Sequence, residues 1–173
     1  MNTHSLIRAV EDVMTQGLEV LSLVADDGTY RYVLPAPYSA SVGQHYRHVI
    51  DHFTCLMRGL LTGVIDYDNR PRELRVEISI DEARYATASL IAYVGALTTT
   101  EIEASCAVLY SVGYREEKPI VIETVVAREI AFCVSHAVHH FAIVRLVCDE
   151  LALALPAEIG VAPSTLKHRA ISA

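Results

Sequence analysis

A chain of 173 residues, 52% of them apolar, fits one domain with a substantial hydrophobic core, and a single domain over 1–173 is expected. A net charge of -7, from 14 basic against 21 acidic side chains, argues against a nucleic-acid partner, because phosphate binding needs clustered Lys and Arg. The longest apolar stretch, 130–147, is interrupted by Ser135, three histidines and Arg145, so no membrane span is expected. Met1 to Ser5 do not read as an export signal, which makes the cytoplasm the expected location.

Leu6, Val10, Val13, Met14, Leu18, Leu21 and Val24 recur at three- and four-residue intervals and predict a first amphipathic helix, ended by Asp26-Asp27-Gly28. Tyr30 to Tyr38, with Pro35 and Pro37, reads as a connector. Ser41 with Gln44 forms a capping-box pattern that opens a second helix running to about Gly63. The charged, Pro-containing segment between Val64 and Ile78 is too long for a tight turn and is expected to cross the bundle. Its run from Asp66 to Arg72, Arg70 included, reads as a solvated crossover stitched by local ion pairs.

Ser79 with Glu82 repeats the capping-box pattern, and Ala83, Leu90, Ile91, Val94 and Leu97 supply the buried stripe of a third helix. From Ile102 to Val112 the period changes to two, Gly113 to Lys118 is turn-like, and Pro119 to Ile122 returns as a second strand, so a small β-hairpin is expected. A fourth helix is expected from about Thr124 to Leu155, stopped by Pro156, with a short helix from Ser164 in the tail. The fold class expected is all-α: a four-helix bundle with a long crossover and a hairpin before the last long helix. Cys55, Cys106, Cys133 and Cys148 lie in apolar contexts without a CxxC spacing and read as buried, reduced thiols.

Six of the eight histidines fall in two short windows inside predicted helices. Helical spacing puts His45, His48 and His52 on one face of the second helix and stacks His136 over His140 on the fourth, with His139 turned aside. An i, i+4 imidazole pair reaches one ion, and a third imidazole from a facing helix fills a third corner of a tetrahedron. Three nitrogen ligands with one open position are the pattern of a catalytic rather than a structural zinc site, and imidazole suits zinc or nickel. A lone histidine is more often a satisfied core residue. Several buried together without an ion would leave unpaired groups costing about 1 to 3 kcal/mol each, which favours a metal. His45 and His52 are expected to line the pocket or an interface. Glu129, seven residues before His136 on the same helical face, and Asp51, three residues after His48, are candidate acceptors for a ligand's second ring N–H.

The segment His45-Tyr46-Arg47-His48-Val49-Ile50-Asp51 early in the second helix, followed by His136 to His140 on the fourth, resembles the DinB/YfiT-like superfamily of metalloenzymes. The resemblance implies a four-helix bundle with a metal site carried by His48, His136 and His140. It also implies a homodimer and a transferase-like activity on a small thiol. Many members continue their last ligand with Arg-Gly-Gln, where this chain has Phe141-Ala142-Ile143. The leading expectation is therefore a metal-dependent enzyme that activates a thiol or water toward a small electrophile, with Glu129 or His52 as base if water is used. A non-catalytic metal module with His52 as a fourth ligand, and a metal-free interaction bundle, are the alternatives.

Overall fold

In the computed structural model, which describes residues 3–115 and 118–172, helix α1 (Thr3–Leu23) turns Val10, Val13, Met14, Gly17, Val20 and Leu21 inward. The connector after it is not structureless, since Asp26 caps a short helix α2 (Asp27–Arg31) by accepting from the Thr29 N–H at 3.0 Å. Helix α3 (Val42–Thr62) starts at the expected capping box: Ser41 Oγ accepts from Gln44 N–H and Gln44 Oε1 accepts from Ser41 N–H, both at 3.1 Å. Gly63, at φ 77°, ends it in the left-handed region that glycine adopts without strain.

The crossover supplies strand β1 (Val64–Asp66) and helix α4 (Leu74–Ile78) before α5 (Ile80–Gly95). Ser79 is the N-cap of α5 as expected, but its side chain makes no capping bond. Asp27 takes that role from α2, accepting from the Ile80 N–H at 2.8 Å, so a distant carboxylate replaces the local cap. Ile102, expected to begin a strand, instead falls in helix α6 (Thr99–Glu103), which a capping box of Thr98 and Glu101 starts, and the strands that follow are β2 (Ser105–Tyr110) and β3 (Ile120–Val125).

β2 and β3 form the expected antiparallel hairpin, with Val108 opposite Ile122. Of the turn expected between them, Glu116 and Glu117 lie outside the described residues. β1 adds to β2 in parallel, Ile65 opposite Val108, so the hairpin becomes a three-stranded sheet. The chain is thus mostly helical with a small sheet rather than purely helical. Buried Ile65, Cys106 and Val108 give that sheet an inner face.

Helix α7 (Val126–Glu150) follows β3 without a loop. It stops five residues short of the expected Leu155. Leu153 N–H bonds Cys148 O at 2.8 Å and Ala152 N–H bonds Asp149 O at 3.1 Å, while Ala152 sits at φ 57°. This is a Schellman ending with alanine in the usual glycine position. Arg145 donates to the carbonyls of Ile159 and Pro156, holding the following segment against α7 before α8 (Pro163–Ser172).

α1 packs on α5 and α7, and α3 packs on α5 and α7, so each long helix has two long neighbours. The α3–α7 contact is the most extensive among the helices. By length and composition α7 is apolar enough to cross a membrane, with 33% of its most apolar window buried. Its apolar side has another use here: Ile130, Ala137, Phe141, Val144 and Val147 are all in the core. All four cysteines are free and buried, as expected.

The approach of α3 to α4 depends on one glycine. A Cβ at Gly43 would sit 2.0 Å from the Glu77 backbone oxygen, and backbone cannot swing aside as a side chain can. Gly43→Ala should therefore lower stability by about 3 kcal/mol, the upper end of overpacking costs. The readout is the urea midpoint at unchanged slope.

Candidate metal centre

The histidines sit where they do because each is one residue away from a core position. On α3, His48 and His52 precede buried Val49 and Phe53, and on α7, His136 and His140 precede buried Ala137 and Phe141. Burying those apolar neighbours in the α3–α7 contact leaves His48, His136 and His140 half-buried at its margin, facing one another, while His52 is itself buried. His48 Nε2 and His136 Nε2 are 3.0 Å apart, and the rings of His48 and His140 have centroids separated by 4.4 Å.

Among the described residues, the one set of three or more potential ligand atoms lying within 4.8 Å of each other belongs to His48, His136 and His140. Nitrogen–metal bonds of about 2.0–2.1 Å in a tetrahedron place the nitrogens roughly 3.3 Å apart. The donor set and its spacing therefore fit a divalent ion with small side-chain adjustments.

Burial sets the charge state. Desolvation, then His52, His136, Arg70 and Arg47, holds His48 down at about 3, and desolvation, then His52, His139 and Arg70, holds His136 at about 4. Desolvation and then His48, His136, His45 and His139 hold His140 at about 2. All three are neutral at pH 7 and present the lone pairs that a metal needs.

The surroundings divide the remaining candidates. His45 Nδ1 meets His140 Nδ1 at 2.9 Å, so His45 is the partner that orients His140. His52 Nδ1–H donates to the His48 carbonyl at 2.9 Å, which fixes its tautomer and leaves Nε2 as an acceptor. Its ring packs on His136 at 4.0 Å between centroids and stacks on Tyr67 at 5.5 Å and 18°. His139 is exposed beside His140.

Glu129 and Asp51 are buried, but their bonds go elsewhere than to the three histidines. Glu129 accepts from the Tyr67 hydroxyl at 3.1 Å and from Thr124 at 2.9 Å. Asp51 pairs with Arg47 at 3.9 Å. Burial pushes the Cys133 thiol up to about 12 and Cys55 to about 11, so both stay protonated in the core.

Tyr67 and Phe132 were not singled out by the sequence. Tyr67 is one aromatic in a charged crossover, and it is buried because β1 carries it onto α7. Phe132 sits one turn before His136 and stacks on it at 5.7 Å and 26°. The helical i, i+4 relation between the two was the available signal. Arg70 is half-buried rather than fully solvated, donating to the Tyr67 carbonyl at 2.6 Å, and its charge helps to keep His48, His52 and His136 neutral.

No protein-family model matches the sequence. A DinB-like protein of Bacillus subtilis, YjoA, aligns in structure with a TM-score of 0.65 and 15% identity, over 90% of this chain and 98% of that one. The fold is DinB-like. At that identity the likeness speaks for architecture, and what the DinB-like chain does must be argued from its histidines. A curated relative, FK506-binding protein 5 of Rhizopus delemar, is 26% identical over 105 residues, 61% of this chain. The DinB-like chain covers 27% of that protein's length.

Proposed function

We propose that His48, His136 and His140 hold one zinc or nickel ion with a coordination position open, in an enzyme that activates a small thiol or water toward a small electrophile. The observation that carries this reading is the convergence of three neutral imidazoles from two helices within 4.8 Å. We read the four long helices as a four-helix bundle, a frame stiff enough to keep ligands from separate helices in register. A bound ion would supply Lewis acidity, lowering the pKa of a water or thiol beside it.

The chain's own residues supply the rest. His45 holds the His140 ring through their nitrogen pair, and His52, neutral through burial and locked by its bond to the His48 carbonyl, offers Nε2 to accept a proton from the nucleophile. Glu129 is less suited to that role, because its two oxygens already receive Tyr67 and Thr124. His52 lies outside the set of converging ligand atoms, which favours three ligands and an open position over a closed, structural site.

Elemental analysis of protein purified without a histidine tag should find one zinc or nickel per chain, and a chain free of transition metal would overturn the reading. Turnover of an aromatic electrophile by the loaded protein, with and without added thiols, separates thiol transfer from hydrolysis. His45→Phe keeps a ring but removes the bond to His140, so its metal affinity should fall about 10- to 100-fold, measured by competition with a chromogenic chelator.

A further inference from the structure

A cavity of about 530 Å³ lies between the outer hairpin and the first turns of α7, adjoining the histidines but lined by none of them. Two of its walls are the rings that cover the metal centre from this side: Tyr67, stacked on His52, and Phe132, stacked on His136. Phe132 thus touches both the cavity and His136. Tyr110 adds a third aromatic wall, and Val108 and Ile122 close the sheet side. Its volume suits a small molecule rather than a peptide.

The floor carries a specific polar group. Glu129 is buried: its Oε2 accepts from Tyr67, and its Oε1 accepts from Thr124 and lies 3.5 Å from the Arg128 guanidinium. A carboxylate offers about four acceptor positions, so roughly one remains, on Oε2, for a donor entering the cavity. Thr124 and the exposed Glu123 and Arg128 also line the cavity, but the buried acceptor among flat aromatic walls is Glu129, and it suits a planar ring system carrying one hydroxyl or N–H.

We propose that this cavity binds the aromatic portion of the substrate, a one- or two-ring system whose donor group meets Glu129 and whose reacting end passes the edge of Phe132 toward the histidines. The chemistry at that end rests on the metal reading above; the binding of the ring does not. On this reading the cavity and the metal centre are adjacent parts of one site, with Phe132 and Tyr67 as their shared border.

The test uses 2-naphthol and the full chain, observed through the ligand's proton NMR signals. Ile122 is 42% exposed, so Ile122→Trp fills the cavity from its rim without entering the core. Naphthol should bind the native chain, and its Kd should rise about tenfold or more in the variant, a change of roughly 1.4 kcal/mol. Tyr110→Ala, which removes a wall instead of adding bulk, should weaken binding in the same direction. No binding to the native chain, or binding to both variants as tight as to the native chain, overturns the proposal, and so does equally tight binding of n-hexanol in place of the aromatic probe. In protein loaded with cobalt(II), the naphthol signals should broaden relative to zinc-loaded protein. Sharp signals with cobalt bound would refute the shared border, whereas failure of cobalt to bind at all would count against the metal reading and leave the variant comparison to decide the cavity.

Discussion

Replacing His136 by alanine should lower the chain's affinity for zinc more than about a hundredfold, because loss of a mere orienting partner already costs 10- to 100-fold. The substitution leaves His48 and His140, which alone span only two corners of the coordination sphere. It also removes the ring that faces His48 at 3.0 Å and carries the stack with Phe132. The half-buried position means that the metal-free variant should fold, with a stability change within about 1 kcal/mol. The discriminating quantity is therefore the thermal shift produced by zinc. A ligand at a thousand times its Kd stabilises the native state by about 4 kcal/mol, and that increment should vanish in the variant while the metal-free midpoint stays in place. Undiminished zinc stoichiometry in His136→Ala would remove the three-histidine centre from consideration.

The elements that sequence made legible are those whose signal is local. The capping box at Ser41 and Gln44 and the i, i+4 pair His136 and His140 are each written within a few residues and found where local rules put them, and the period-two run from Ile102 to Val112 yields β2 over its middle, 105–110. What was not legible depends on partners distant in sequence. Val64 to Asp66 is too short to show alternation and becomes a strand only because β2 pairs with it. Ser79 loses its capping role to Asp27, which the fold delivers from the first connector. Ala152 ends α7 in a conformation that usually asks for glycine, so the sequence carried no stop before Pro156.

The same division runs through the candidate site. The converging trio could be named from spacing together with the family resemblance, whereas its supporting groups could not. His45 as the partner of His140, Tyr67 as the ring over His52 and the engagement of Glu129 with Tyr67 all follow from how α3, α7 and the crossover pack. Aromatic and carboxylate side chains have no fixed spacing that would announce such roles, because their partners come from different elements.

Acid should destabilise the metal-free protein from about pH 6.5 downward. In the unfolded chain the imidazoles titrate near 6.5. Folding depresses His48, His136 and His140 to about 3, 4 and 2, and depresses His45 and His52 as well, chiefly by desolvation. Between these values the unfolded state holds more protons than the folded one, so stability rises with pH there and is lost as pH falls. The contribution is complete above about 6.5 and erodes toward about 4 and below. Asp51, raised by burial, opposes this with the reverse sign at the acid end, but it is one group against five. Thermal midpoints of the chelated protein at pH 7, 6, 5 and 4 should therefore fall steadily, and a flat profile would contradict the depressed values. For zinc binding to the folded chain the same shifts have a different consequence. The ligands are already deprotonated at pH 5, so proton competition is weak and affinity should change little between pH 7 and 5. Three imidazoles with ordinary pKa values would lose more than about a hundredfold over that interval, and a loss of that size would show that the folded site does not hold its histidines neutral.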